Sequence, residues 1–126
     1  MNNVQTKEYG LEERTYQFAK RVRIFIRTIP KTIANFEDSK QLIKSSGSVG
    51  ANYIESVEAL SKKDSLYRIK VCRKEAKESR NWLKLIDTGI NNNLELERMA
   101  LIQESHELMN IFGSIIRKNE ASNIKI

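Results

Sequence analysis

The sequence predicts an all-α chain, most simply an antiparallel up-down-up-down four-helix bundle, and three observations carry that expectation. Four stretches place apolar or small residues at alternating steps of three and four, the spacing of one helical face. Across 126 residues there are only one proline and five glycines, and β-branched residues do not alternate with polar ones as strands require. The length suits one domain, and 40% hydrophobic with 30% charged residues is a mix that buries a core under a solvated surface.

The first stripe is Leu11, Thr15, Phe18, Val22, Phe25 and Ile29. Glu12 and Glu13 in its first turn complement the helix dipole, and Pro30 ends it by disfavouring helical geometry in the residue before it. A polar connection leads to a second helix, with Asn35 as candidate cap and Asp38 three residues on in an imperfect capping box. Leu42, Ser46, Val49, Tyr53, Val57 and Leu60 form its stripe. The run Ser45-Ser46-Gly47-Ser48-Val49-Gly50 reads locally as a loop, since each glycine costs a helix about 1 kcal/mol relative to alanine. The unbroken apolar register across it favours a continuous helix whose small residues admit a close neighbour.

Ser61, with Asp64 three residues later, caps a third helix after a short connection through Lys62 and Lys63. Its stripe is Leu66, Ile69, Cys72, Ala76, Ser79, Leu83, Ile86 and Ile90. A second stripe, Tyr67, Val71, Glu75, Glu78, Trp82 and Leu85, leads us to expect self-association through another face. Gly89 and Asn91-Asn92-Asn93 stop this helix, and Leu94, Arg98, Leu101, Ser105, Leu108, Phe112 and Ile115 mark the fourth. The expected organisation is an N-terminal extension over 1–10, the bundle over 11–118 and a frayed tail over 119–126.

Residues 1–7 are polar and the longest aliphatic or aromatic run is Ile24-Phe25-Ile26, so neither a signal peptide nor a membrane span is expected and the setting is cytoplasmic. Cys72, the only cysteine, excludes an internal disulfide and reads as a small buried apolar residue. The net charge of +6 favours an anionic partner. The charge is concentrated: residues 62–84 hold nine Lys or Arg against Asp64, Glu75 and Glu78.

Within that segment Arg73, Lys77, Arg80 and Lys84 line one helical face, with Lys70 and Lys74 beside them. Such a ridge neutralises phosphates with little base discrimination, unless it is simply a solvated face or is paired to Glu75, Glu78 or a neighbouring subunit. Arg21, Arg23 and Arg27 are candidates to extend it. Folding helices two and three about residues 62 to 63 pairs positions whose numbers sum to about 125. Glu55 then lies near Lys70, Asn52 near Arg73, Gly50 near Glu75 and Gly47 near Glu78. Asn52, Glu55, Glu75 and Glu78 are therefore expected to form a polar network that fixes the register. A metal site built from Glu55, Glu75 and Glu78 is the competing reading, but the Glu-x-x-His pairs of di-iron bundles are missing, so no metal or other cofactor is expected. His106, the only histidine, has no Cys or Asp spaced as a nucleophile or orienter, and Gly47-Ser48-Val49-Gly50 lacks the pattern of a nucleophile elbow or phosphate loop. No enzymatic activity is expected.

Three runs together, Leu11-Glu12-Glu13-Arg14-Thr15-Tyr16-Gln17-Phe18-Ala19, then 41–55 (QLIKSSGSVGANYIE) and 73–83 (RKEAKESRNWL), resemble the four-helix-bundle proteins encoded in intervening sequences of bacterial 23S ribosomal RNA genes. That family is related to the accessory variability protein of diversity-generating retroelements. The resemblance implies a barrel-like homopentamer with a positively charged surface, which in the accessory protein engages nucleic acid and a reverse transcriptase, and a second helix running through Gly47 and Gly50. Together these lead to an expected non-enzymatic oligomer that binds RNA or DNA through the ridge. The alternative is an interaction module that docks an acidic or polymerase-like protein.

Overall fold

The computed structural model describes residues 10–124 and places them in four helices. They are α1 (Gly10–Thr28), α2 (Ile33–Val57), α3 (Lys62–Leu85) and α4 (Asn92–Ile124), with no strand among the described residues. Each helix packs on the next and α1 returns to α4, closing a four-helix bundle in which diagonal helices meet only through core side chains, as where the Tyr53 ring of α2 lies 6.2 Å from that of Phe112 on α4. Side-chain partners show every neighbouring pair to be antiparallel. Arg14 reaches Glu104 while Arg21 reaches Glu97 across α1 and α4, and Ser45 meets Ser79 while Ser56 meets Ser65 across α2 and α3.

The core follows the expected stripes: Phe18, Val22 and Phe25 from α1, Leu42 and Val49 from α2, Ile69, Cys72, Ala76 and Leu83 from α3, and Leu101, Leu108 and Phe112 from α4. Each fully buried large side chain contributes roughly 1.5–3 kcal/mol. Serines fill the tight levels of the core. Ser79 donates to the Glu75 carbonyl one turn back while sharing a 2.8 Å hydroxyl contact with Ser45, so two helices approach closely without an unsatisfied polar group. No buried side-chain polar atom among the described residues lacks a partner.

The glycines of α2 do not interrupt it. Their bare backbone faces α1: a Cβ on Gly50 would lie 3.0 Å from Thr15 Oγ1, and one on Gly47 would lie 3.3 Å from Arg23 Nη2. The neighbour they admit is thus α1, and not the Glu75 and Glu78 side chains of α3.

The helix ends depart from expectation in four places, the first being the end of α2, which stops at Val57 and leaves the expected stripe members Val57 and Leu60 exposed. Thr32, not Asn35, caps α2, accepting the Asn35 backbone N–H at 3.1 Å. This frees the Asn35 amide to join the two loops at that end of the bundle: Nδ2 donates to the carbonyls of Pro30 (3.0 Å) and Asp87 (2.8 Å), and Oδ1 accepts the Asp87 N–H (2.9 Å). With Asp87 held there, α3 stops at Leu85 and Ile86 turns extended, leaving the expected stripe member Ile90 fully exposed. Gly89 adopts φ +70°, and Asn91 caps α4 by accepting the Leu94 N–H at 3.0 Å. The Ser61 cap forms as expected, on the Asp64 N–H. α4 continues to Ile124, beyond the bundle end expected at Lys118, and Glu120 in that added stretch pairs with Lys70. The expected extension over 1–10 lies, apart from Gly10, outside the described residues.

Candidate functional site

The basic residues of α3 fall along its seam with α4, because helical spacing puts residues 70, 73, 77, 80 and 84 on the flank beside the core stripe. The two ends of the seam are neutralised. At one end Arg98 bonds Glu95 at 2.6 Å and donates to the Leu83 and Lys84 carbonyls, which end α3 without intrahelical partners. Arg98 and Thr88 together hold the Glu95 carboxyl down at about 2, the arginine being the larger cause. At the other end Lys70 pairs with Glu120 at 3.1 Å.

Between these ends no carboxylate pairs with the cations. Arg73 and Lys77 are exposed and, among the described residues, neither has an ion-pair partner. Arg80 donates a 3.1 Å hydrogen bond to His106 Nδ1, which must accept because a guanidinium has only donors. From α4, Arg117 lies over Gly113 beside Arg73. Arg117 and His106 were missed as members of this flank, although His106, Gly113 and Arg117 are spaced by seven and four, close to whole turns of one helical face.

The other candidates are placed elsewhere. Lys74 pairs with Glu78 along its own helix at 3.8 Å. Lys84 is exposed at the neutralised end. Arg21 pairs with Glu97, Arg23 folds back to the Ala19 carbonyl, and α1 lies diagonally across the core from α3, so Arg21, Arg23 and Arg27 do not extend the ridge.

The expected polar network is not assembled. Asn52 binds Arg68 (2.9 Å) and its own helix at Ser48, while Glu55 is exposed at the α2–α3 turn with no ion pair to Lys70. Glu75 is half-buried without a cation across the hairpin; burial first, then the charge of Glu78, pushes its carboxyl up, and Lys74 only partly opposes this. Small groups set the register instead: Ser45 on Ser79, the Cys72 thiol donating to the Val49 carbonyl (3.3 Å), and Ser56 on Ser65. No group of three His, Cys, Asp or Glu able to hold a metal ion occurs among the described residues, and no helix is long and apolar enough to cross a membrane.

α4 thus has two flanks of different character. Glu97, Glu104 and Glu107 face α1 and meet Arg21 and Arg14, while Arg98, His106 and Arg117 face α3. Arg14, bound by both carboxylates of Glu104 and Glu107, is held more firmly protonated than usual, chiefly through its hydrogen bond to Glu104. Apolar side chains are exposed on other faces: Tyr16 and Ile54 beside the α1–α2 groove, and Tyr67 and Leu85 on α3.

A family model described as 23S rRNA-intervening sequence protein matches residues 7–113. A crystal structure of a protein of unknown function from the S23 ribosomal protein family of Bacteroides thetaiotaomicron VPI-5482 is similar, with 27% identity and a TM-score of 0.69. The match covers 83% of this chain and 96% of that one. No curated protein matches.

Proposed function

This chain belongs to the 23S rRNA-intervening sequence protein family, and we propose that it is a non-enzymatic, cytoplasmic, oligomeric bundle that binds RNA or DNA through its α3–α4 seam. The observation that carries this reading is the stretch of the seam without acids, where Arg73, Lys77, Arg80 and Arg117 follow one another between two neutralised ends. Structural cations are normally matched to carboxylates, as those at both ends are. At 1.5 Å per residue, ridge residues 70–84 extend about 21 Å, the length of about six phosphates of a duplex strand. Cations on a helix flank contact phosphates, which position a protein without reading sequence, so little base preference is expected. Self-association through the exposed apolar residues, five-fold by the resemblance to the accessory variability protein, would repeat the seam around a ring. Light scattering tests that part of the proposal.

Fluorescence anisotropy with labelled RNA and DNA oligonucleotides across a salt series tests the binding. Engagement of four phosphates predicts a log–log salt slope of about −3 to −4. Absence of binding at low salt, or unchanged binding after reversal of Arg73, Lys77 and Arg80 to Glu, would overturn the reading. Co-purification with and without nuclease separates it from docking of an acidic or polymerase-like protein.

A further inference from the structure

Gly113 lies in the interior of α4, where a glycine costs about 1 kcal/mol relative to alanine. Unlike Gly50, it is not needed for two backbones to approach. The three atoms nearest to a Cβ built there all belong to arginine side chains: Arg117 Nη1 at 3.3 Å, Arg73 Nε at 3.6 Å and Arg73 Cδ at 3.9 Å. What the missing side chain permits is for two guanidinium groups, one from each helix, to lie down over the same point of backbone. Their nitrogens are therefore no farther apart than those two distances laid end to end. Neither group has an ion-pair or hydrogen-bond partner among the described residues, and the nearest acid of the seam, Glu120, is taken by Lys70.

Two like charges held side by side repel, and one anion between them relieves both. A phosphate accepts charge-assisted N–H···O bonds of about 2.7–2.9 Å, so one bridging two guanidiniums fits a separation of this order. Arginine suits that role because its planar fork holds two oxygens at once. We propose that Arg73 and Arg117, seated over Gly113, form a clamp for a single backbone phosphate of the bound nucleic acid, the anchoring point of the ridge. This rests on the reading of the seam as a nucleic-acid surface and adds to it a specific site on α4.

The test is Gly113→Ala, which leaves net charge unchanged and favours the helix but puts a methyl group under both guanidiniums. It is read by anisotropy with a labelled single-stranded RNA 12-mer, alongside the double variant Arg73→Lys, Arg117→Lys, which keeps both charges and loses both forks. Circular dichroism checks that each variant is folded. Both are expected to lose about ten-fold in affinity, the size of one charge-assisted hydrogen bond, with Lys77→Ala costing less than either. If the wild type binds and charge reversal along the ridge weakens it, while Gly113→Ala and the double lysine variant bind as wild type, the clamp is overturned and the ridge stands. If the wild type itself fails to bind at low salt, both fall.

Discussion

Replacing Asn35 by alanine isolates the contact that ties the two loops at one end of the bundle. The side chain is 2% exposed and makes three hydrogen bonds: to the Pro30 carbonyl and to both the carbonyl and the N–H of Asp87. Pro30 keeps a second partner in the Thr32 N–H, so the loss falls mainly on Asp87. At about 1 kcal/mol net per bond the variant should lose about 3 kcal/mol. For a domain of this size that is a fall of about 10 °C in melting temperature. Urea unfolding followed by helical circular dichroism measures it, and the slope against urea should not change, because the surface exposed on unfolding is the same. Asn35→Asp sharpens the test. Its carboxyl must be protonated to donate to even one of the two carbonyls it faces, so its folded pKa is raised above the unfolded value of about 3.9. The stabilisation is then present below that unfolded value and lost as pH rises through the folded one, so the aspartate variant weakens relative to wild type from pH 4 to pH 7. A loss below about 0.5 kcal/mol for the alanine variant, with the slope unchanged, would refute the assignment of this contact as a main fastening of the loops.

Gly47→Ala should raise the melting temperature, gaining up to about 1 kcal/mol of helix propensity because only the end of the Arg23 side chain, whose Nη2 holds a long 3.5 Å bond to the Ile43 carbonyl, must give way, whereas Gly50→Ala should lower it because Thr15 stands in the way; equal shifts in both would contradict the close α1–α2 approach. The Cys72 thiol, pushed up to about 12 by burial and donating to Val49, should resist alkylation at pH 8 in the folded protein and react at once in denaturant. Glu75→Gln removes a carboxylate that is costly when ionised. Since burial raises its folded pKa, the penalty is absent below the unfolded value of about 4.3 and complete above the folded one. The glutamine variant should therefore gain on wild type at pH 7 and match it at pH 3, as seen in paired urea titrations.

The core was legible because its signal is periodic. Phe18, Val22, Phe25, Leu42, Val49, Ile69, Cys72, Leu83, Leu101, Leu108 and Phe112 sit where steps of three and four put them. Partners across the bundle were less so, because they depend on where the loop turns. The α2–α3 connection ends at the Ser61 cap, and pairing slips most in the half of the hairpin near that turn, where Asn52 faces Arg68 instead of Arg73, while Ser45 on Ser79 stays close to the expected level. At the start of α2, Thr32 and Asn35 are both good caps three residues apart. Residue types alone do not choose between them, because what employs Asn35 is a loop fifty-two residues away. The α3 half of the seam was readable from charge spacing, but the α4 half was hidden because His106, Gly113 and Arg117 are unlike in chemistry and only their shared flank unites them.

The two flanks of α4 also bear on how an encounter begins. One seam spends its acids on Arg14 and Arg21, and the opposite seam keeps its positive charge, so the field around the subunit is lopsided rather than merely positive. A polyanion drifting nearby would experience a torque as well as an attraction, turning the molecule until the α3–α4 side leads. Orientation would then be settled before contact, and charge placement on α4 would govern the rate of productive collisions as much as the lifetime of the complex.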